Sequence, residues 1–395
     1  MSTNNTPKIC LIHDMFLYRG GAERFNIMLA KSLGADIAAL FFNPEGLDPR
    51  SMGFTGNLIS FGQNRYRKGL RQIYLKYRLL FHTEFLAEYD AVIFSNDSLS
   101  AIRNVGPRTR KIYYAHSIPR YLFDQRAFYY QKVPILLRPL YRVIRALFEH
   151  MYRWELAQVD EIYTNSANLQ RAIRQYLGRE SHIINPPVDT EVFIPLSQYQ
   201  EAPGVSEDAR FLHGERSLLP GMKWQDKEYY ISFSKLSSLK RVARAVEVFY
   251  DMPDKKLLVI YGQNDPQKDE IIALAKGCDN IVFLTLVDNS MLPRYVAGAI
   301  ATIFIAKNED FGMVAIESLS CGVPVIGVDE GGIKETVTDG ETGILISPEV
   351  IKEDLVQAID ELTSEKAVSM EISCVRQAQQ FSLKTFEKMV KEKFL

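Results

Sequence analysis

Apolar residues come in short unbroken blocks along this chain. Between the blocks they recur at the three-to-four-residue spacing of a helix face. KICLIHD (8–14) is the first block; a Gly-rich turn follows it, and an amphipathic helix is predicted from about Ala22 to Leu33. DIAALFF, AVIFSN, KIYYAHS and EIYTNS are further blocks, with helical segments between most of them. Continuous apolar strands alternating with helices predict a parallel sheet covered on both faces, because a strand with one wet face would alternate instead. The pattern fades at NPPVDTEVFIPL (185–196), where prolines cluster, and 197–228 turns polar with Gly and Pro. That stretch is expected to be an interdomain linker or surface insertion. A second series opens at YYISFS (229–234) and runs through KLLVIYG, NIVFLT, ATIFIA, PVIGV and TGILI to a last helix at about 383–394. The expected organisation is α/β, with two doubly wound domains at 1–200 and 229–382 and residues 201–228 joining them.

Composition narrows the class. A chain of 395 residues suits two domains of ordinary size, and 47% apolar with 24% charged residues supplies ample core. A net charge of -1 argues against a nucleic-acid partner. Cys10, Cys278, Cys321 and Cys374 are scattered, which suits a reducing compartment and lacks metal-ligand spacing. No Asp-x-Asp pair occurs anywhere in the chain, so the usual carboxylates for a divalent cation are missing and no metal is expected. MSTNNTPKICLIHD has no apolar run of the secretory kind, and no stretch approaches 18 apolar residues; neither a leader nor a membrane-spanning helix is expected.

In open α/β sheets ligands bind beyond the carboxyl ends of the strands, so the loops after strands are where chemistry is sought. Four stand out. In LYRGGAERF (17–25), Gly20 and Gly21 let backbone approach a ligand just before a helix N-terminus, which suits phosphate; a plain tight turn would read the same way. In AHSIPRYLFD (115–124), His116, Arg120 and Asp124 follow an apolar strand, where an imidazole can hold a substrate hydroxyl or serve the fold alone. In SFSKLSSLKR (232–241), Lys235 and Lys240 flank a Ser-rich turn into a helix, suited to a diphosphate or simply solvated. In NEDFGMVAIES (308–318), Glu309 lies in the turn, Gly312 opens a helix, and Glu317 is expected about two turns inside it. A helical carboxylate there can accept from a vicinal diol such as ribose, and capping or surface roles remain open for both acids.

NEDFGMVAIESLSCGVPVIGVDEGGIKETVTDGETGIL resembles the donor-site signature of retaining glycosyltransferases of the GT4 family. YRGGAER, YYAHSIPRYLFD, TNSANLQRAI, INPPVDTEVF and YYISFSKLSSLKRVARAVEVF match in order, so the resemblance covers nearly the whole chain outside 43–90 and the linker. The subgroup it is most similar to comprises bacterial mannosyl- and rhamnosyltransferases of surface polysaccharide assembly. It implies a GT-B fold: two facing Rossmann-like domains with a cleft between them, and the last helix, about 383–395, returning to the first. It implies a metal-independent hexosyltransferase with a nucleotide-sugar donor and no cofactor; the subgroup favours GDP-mannose, with UDP- and dTDP-sugars open. Carried over by motif, Glu317 would bind ribose, and Glu309 and Asp310 would face the sugar. The backbone of Phe311, Gly312 and Met313 would contact sugar or phosphate. Lys235 and Lys240 would hold the diphosphate, with Gly20 and Gly21 closing on it; His116, Glu309 and Lys240 would be catalytic, and Arg120 and Asp124 would lie on the acceptor side. Lys235 stands where the family more often has Arg, and Ala306-Lys307 where it has Pro-Ser, which bears on sugar choice. A nucleotide-sugar epimerase of the same fold, or a non-catalytic scaffold subunit, are the competing readings; donor conversion without acceptor would mark the first.

Two stretches carry localised positive charge. Residues 64–82 hold Arg65, Arg67, Lys68, Arg71, Lys76 and Arg78 with no acidic residue, interleaved with Tyr66, Tyr74, Tyr77 and Phe81. Residues 126–153 hold six more basic residues against Glu149 alone. Basic helices with apolar faces favour an anionic membrane surface, unless those faces are core and the arginines merely solvated. With the resemblance, the expectation is a cytoplasmic protein peripheral to the inner face of the cell membrane, acting on a lipid-linked glycan.

Overall fold

A computed structural model describes residues 7–17, 20–43, 46–64, 68–201, 227–285 and 291–394. Most of the expected linker, along with Arg65, Tyr66 and Arg67 of the first basic stretch, therefore lies outside the described residues. The chain divides into two compact units, one running through Asn185 and resumed from Phe386 onward, the other Pro186–Thr385.

The first unit is a parallel sheet of β1 (Ile9–His13), β2 (Asp36–Ala39), β3 (Leu58–Ser60), β4 (Ala91–Ser95), β5 (Arg110–Ala115), β6 (Glu161–Thr164) and β7 (His182–Ile183), in the order 3-2-1-4-5-6-7. Its helices are α1 (Gly21–Leu33), α2 (Lys68–Phe81), α3 (Arg126–Gln131), α4 (Arg138–Ala157) and α5 (Ala167–Leu177). β1 and β4 are buried at every position, which is why they read as unbroken apolar runs. β3 and β7 were not legible: three and two residues respectively are too short for a periodicity. α1 ends on Gly34, whose φ of 62° in the left-handed region lets its N–H close the last turn.

The second unit opens with α6 (Leu196–Glu201). Its sheet comprises β8 (Tyr229–Ser232), β9 (Lys256–Tyr261), β10 (Ile281–Thr285), β11 (Thr302–Phe304), β12 (Val325–Val328) and β13 (Gly343–Ile346), all parallel, in the order 10-9-8-11-12-13. The helices are α7 (Val242–Tyr250), α8 (Lys268–Leu274), α9 (Leu292–Ala297), α10 (Met313–Ser320), α11 (Ile333–Thr336), α12 (Ile351–Glu361) and α13 (Ser364–Gln379). Alternate strand residues feed cores on opposite faces of the sheet: Tyr230, Leu257 and Val259 one, Tyr229, Ile231, Leu258 and Ile260 the other.

The final helix, α14 (Leu383–Phe394), buries Phe386, Val390 and Phe394 at a spacing of four. Phe386 meets Phe25 edge-on at 5.6 Å, Phe394 stacks on Tyr163 at 4.6 Å, and Arg110 donates to the Phe394 carbonyl at 2.9 Å. From Phe386 on, α14 is thus part of the first unit's core.

Candidate active site

Each sheet has one place where strand order reverses: between β1 and β4 in the first unit, and between β8 and β11 in the second. Loops diverge there at the carboxyl edge, leaving room for a ligand. Three of the four candidate loops begin beside these points, and the fourth, with His116, lies one strand away.

In the second unit the chain leaves β8 through Phe233–Arg241 and enters α7. The turn is held from below: Asp265 accepts from the Leu236 N–H at 2.7 Å, and the Lys307 N–H donates to the Leu239 carbonyl at 2.7 Å. This ties the β8 loop to the loop after β11. It brings the Lys240 ammonium 2.6 Å from Glu309 Oε2, with each side chain about a quarter exposed. Lys235 stands exposed on the same turn. Lys240 precedes the first turn of α7, whose free N–H groups add positive potential beside its ammonium.

The Glu309 loop owes its shape to glycine. Asn308 and Gly312 adopt left-handed φ of 44° and 94°. Behind them, a Cβ on Gly332 would lie 2.1 Å from the Asp310 carbonyl oxygen, and one on Gly331 2.5 Å from that of Glu309. The Gly332 N–H donates to the Glu309 carbonyl at 2.7 Å. So the glycine pair of VDEGG is a backbone rest on which the Glu309 loop lies, and no larger residue fits. Phe311 is buried and packs edge-on to Phe381 at 5.5 Å, so its main chain alone can reach a ligand. α10 begins only at Met313, because the loop spends residues 308–312 in non-helical conformations. Glu317 is therefore little more than one turn into the helix, not two, and it is 5% exposed. Sequence reasoning missed Arg241 and Glu330, whose side chains pair at 2.5 Å from the β8 and β12 loops. An acid placed directly before the glycine pair was the available signal.

In the first unit a buried polar cluster sits at the switch point. His13 ends β1, Ser95 ends β4, Asn26 comes from α1, and His116 follows β5. Ser95 Oγ lies 3.2 Å from His13 Nδ1, 2.9 Å from Asn26 Nδ2 and 3.1 Å from His116 Nε2. Asn26 Oδ1 is 3.2 Å from His116 Nε2. That bond implies the proton on Nε2 and an acceptor lone pair on Nδ1. Burial and the neighbouring His13 push the His116 imidazole down to about 3, so it is neutral at physiological pH. His13 goes the other way. Burial opposes its charge, but Asp14, at 2.9 Å from Nε2, outweighs that and raises it. Only His116 of this cluster was singled out from sequence; His13 and Ser95 carried the same mark, a polar residue closing an apolar strand.

Gly20 caps α1, and the Glu23 carboxylate folds over it, 2.4 Å from where a Gly20 Cβ would stand. A phosphate at this helix end would displace that carboxylate. Arg120 and Asp124 form an i,i+4 pair at 3.9 Å. Burial raises the Asp124 carboxyl, and Arg120 opposes the rise. Among the described residues no group of three His, Cys, Asp or Glu side chains is placed to hold a metal ion.

With this geometry in view, the comparisons with known proteins are specific. The family model "Glycosyl transferases group 1" matches residues 221–381, which include both loops of the second unit's switch point. Over that stretch, which is less than half of the chain, the sequence matches the GT4 glycosyltransferases. It is 24% identical over 303 residues to an alpha-1,3/1,6-mannosyltransferase of Dictyostelium discoideum, covering 70% of this chain and 68% of that one. Against other curated relatives the share of their length falls to 64% and below. Its fold is GT-B. The Anabaena HepE structure with UDP and glucose superposes with a TM-score of 0.70 over 98% of each chain at 18% identity. WaaG, of lipopolysaccharide biosynthesis, does so at 0.69 over 97% of this chain and 98% of its own, at 15% identity. By that match the protein is a retaining glycosyltransferase that uses a nucleotide-sugar donor and a sugar acceptor.

Proposed function

We propose that this GT4 enzyme transfers mannose from GDP-mannose to a lipid-linked glycan at an anionic membrane surface. The observation that carries the donor half is the Lys240–Glu309 contact at the switch point of the second sheet. In this reading Glu309 aims the ammonium and an ammonium has three N–H donors, so Lys240 keeps Glu309 and grips the diphosphate as well. Lys235 and the α7 N-terminus share the diphosphate charge. Glu317, held on α10, takes the ribose hydroxyls; Glu309 with Asp310, and the main chain of Phe311, Gly312 and Met313, meet the sugar. His116, neutral, offers Nδ1 to a sugar hydroxyl near the reacting centre. Gly20 and Gly21 approach the diphosphate after Glu23 gives way, and Arg120 and Asp124 serve the acceptor.

As the sugar–phosphate bond breaks, its electron pair goes to the diphosphate. Lys235, Lys240 and the helix N-terminus stabilise the charge that develops. The leaving phosphate oxygen then takes the acceptor hydroxyl's proton as the acceptor oxygen bonds to the anomeric carbon on the same face, which retains configuration.

The mannose assignment draws on the mannosyltransferase relative; UDP is the nucleotide bound in the HepE structure. A thermal-shift series with GDP, UDP and dTDP decides between them, since a nucleotide that binds the folded chain raises the unfolding temperature, and more so the tighter it binds. Stabilisation by GDP alone is expected; a shift with UDP and none with GDP would overturn the assignment.

The membrane half draws on exposure. No described helix is long and apolar enough to cross a membrane. Yet Leu136, Leu140, Val143 and Leu147 are 92, 57, 67 and 58% exposed, so this apolar face is not core. The arginines beside it are not merely solvated either. Arg126, Arg145 and Arg153 converge on Glu149, at 3.1, 2.9 and 3.0 Å, while Arg138 and Arg142 cover the Tyr130 ring.

A further inference from the structure

The first unit encloses a cavity of about 610 Å³ between α2 and α4, floored by the start of the 3₁₀ segment after β4 and roofed by the loop after β5. That volume is typical of a small-molecule site. We infer that this cavity holds a hydrocarbon chain of the acceptor lipid. The inference rests on the lipid-linked acceptor proposed above and gives that acceptor's tail a place.

Two observations select a hydrocarbon over a sugar or a nucleotide. Most of the wall is apolar, from Ile73, Leu80, Leu122, Phe148, Met151 and Tyr152. The polar groups at the floor are engaged with one another: Lys76 donates to Ser100 Oγ at 2.8 Å and Ser100 donates to Glu155 Oε1 at 2.6 Å. A sugar would have to break these bonds to make its own, whereas a hydrocarbon asks for none. Glu155 and Asp97 also line the floor, so a phosphate carried inward would meet like charge.

The anionic end of the lipid is drawn instead to the rim. Apart from Lys76, engaged at the floor, α2 carries Arg71 and Arg78 with no acid, and 126–157 carries six basic residues against Glu149 and Glu155, in a chain of net charge -1. Cavity and outer surface are also continuous in chemistry. Ile73 and Phe148 line the cavity yet are 69 and 38% exposed; Ile73 lies in a stripe with Leu70, Tyr77 and Phe81 on α2, and Phe148 follows Leu147 of the exposed face of α4. A lipid lying on these helices thus meets an apolar opening between two helices rich in basic residues, which suits a chain attached to a diphosphate.

The test is calorimetric titration of the full chain with farnesyl diphosphate, with farnesol as competitor and inorganic pyrophosphate as the head group alone. One-to-one binding of farnesyl diphosphate, relieved by farnesol and not matched by pyrophosphate, is expected. Ile73→Trp at the exposed lip and Met151→Trp inside should weaken it roughly tenfold or more by taking the chain's apolar contacts, whereas Leu140→Ser, outside the cavity, should not. Ile73→Trp does not depend on repacking a core, so its unfolding temperature should equal that of the wild type. Absence of saturable farnesyl binding, equal binding of pyrophosphate, or wild-type affinity in Ile73→Trp would overturn the inference. Flotation on anionic vesicles reads the membrane proposal separately: vesicle binding without farnesyl binding sinks the cavity's role alone, and loss of both sinks the lipid-linked acceptor with it.

Discussion

At the scale of single residues, the site depends on charges and backbone contacts that a small change would remove. Lys240→Ala should lower turnover at saturating donor by ~10²-fold or more, because stabilisation of the leaving diphosphate is needed in the transition state more than in the ground state. Initial rates of donor consumption check this, and full activity would displace Lys240 from the diphosphate. Gly332→Ala forces a Cβ onto the Asp310 carbonyl, a contact between backbone atoms that no rotamer relieves. Such overpacking typically costs ~1–3 kcal/mol; a lower unfolding temperature and weaker nucleotide binding are expected together, since the Glu309 loop must move. His116 supplies a pH test. Its folded pKa, about 3, lies below the ordinary 6.5, so between those values the unfolded chain binds more protons than the folded one. The stability tied to its neutral form is complete above about pH 6.5 and is lost as pH falls toward 3. Denaturant titrations of wild type and His116→Gln at pH 7 and pH 5 should show a smaller acid loss in the variant; an equal loss would mean another group carries it.

At the scale of elements, α4 is amphipathic twice over. One side packs inward through Tyr152, Glu155 and Leu156, and another presents Leu140, Val143 and Leu147 to solvent. Three large apolar residues left in water within two turns are unusual for a helix whose neighbours are satisfied, and a surface ligand relieves the exposure. Replacing all three by Ser should abolish flotation on anionic vesicles without lowering the unfolding temperature, because nothing buried is altered. Raising salt should weaken the wild-type binding through the basic residues around them. Retained flotation would assign that face to a protein partner. The sequence showed the apolar spacing of this helix but not which of its stripes would find a partner, since that depends on where β5 and the 3₁₀ segment after β4 come to lie.

At the scale of the whole molecule, two parallel sheets each supply one switch point, and the sequence residues with candidate chemistry gather at both. Activity is expected to survive EDTA, since Lys235, Lys240 and the α7 N-terminus carry the diphosphate charge in the proposed mechanism. Complete loss with EDTA, restored by Mg²⁺, would refute it.

The sequence by itself determined the architecture and most of the candidate loops. Strands buried on both faces must be apolar throughout, so β1, β4, β5, β8, β9 and β12 announce themselves, and polar residues at their ends mark the loops. It also carried the pattern of Glu309, Gly312 and Glu317, on which the resemblance to the GT4 family rests. What only the tertiary structure decided is which loops meet. Lys240 and Glu309 are 69 positions apart, and they touch because β8 and β11 are neighbours in a sheet whose order is not the order of the chain. His13, Asn26, Ser95 and His116 converge for the same reason. The glycines of VDEGG read as a turn; that they serve as a rest for the Glu309 loop depends on the packing of one backbone against another. Hydrophobic periodicity reports whether a residue is buried by its own element. Pairings across a sheet, and the apolar faces left uncovered once helices have docked, depend on long-range packing that local periodicity does not encode.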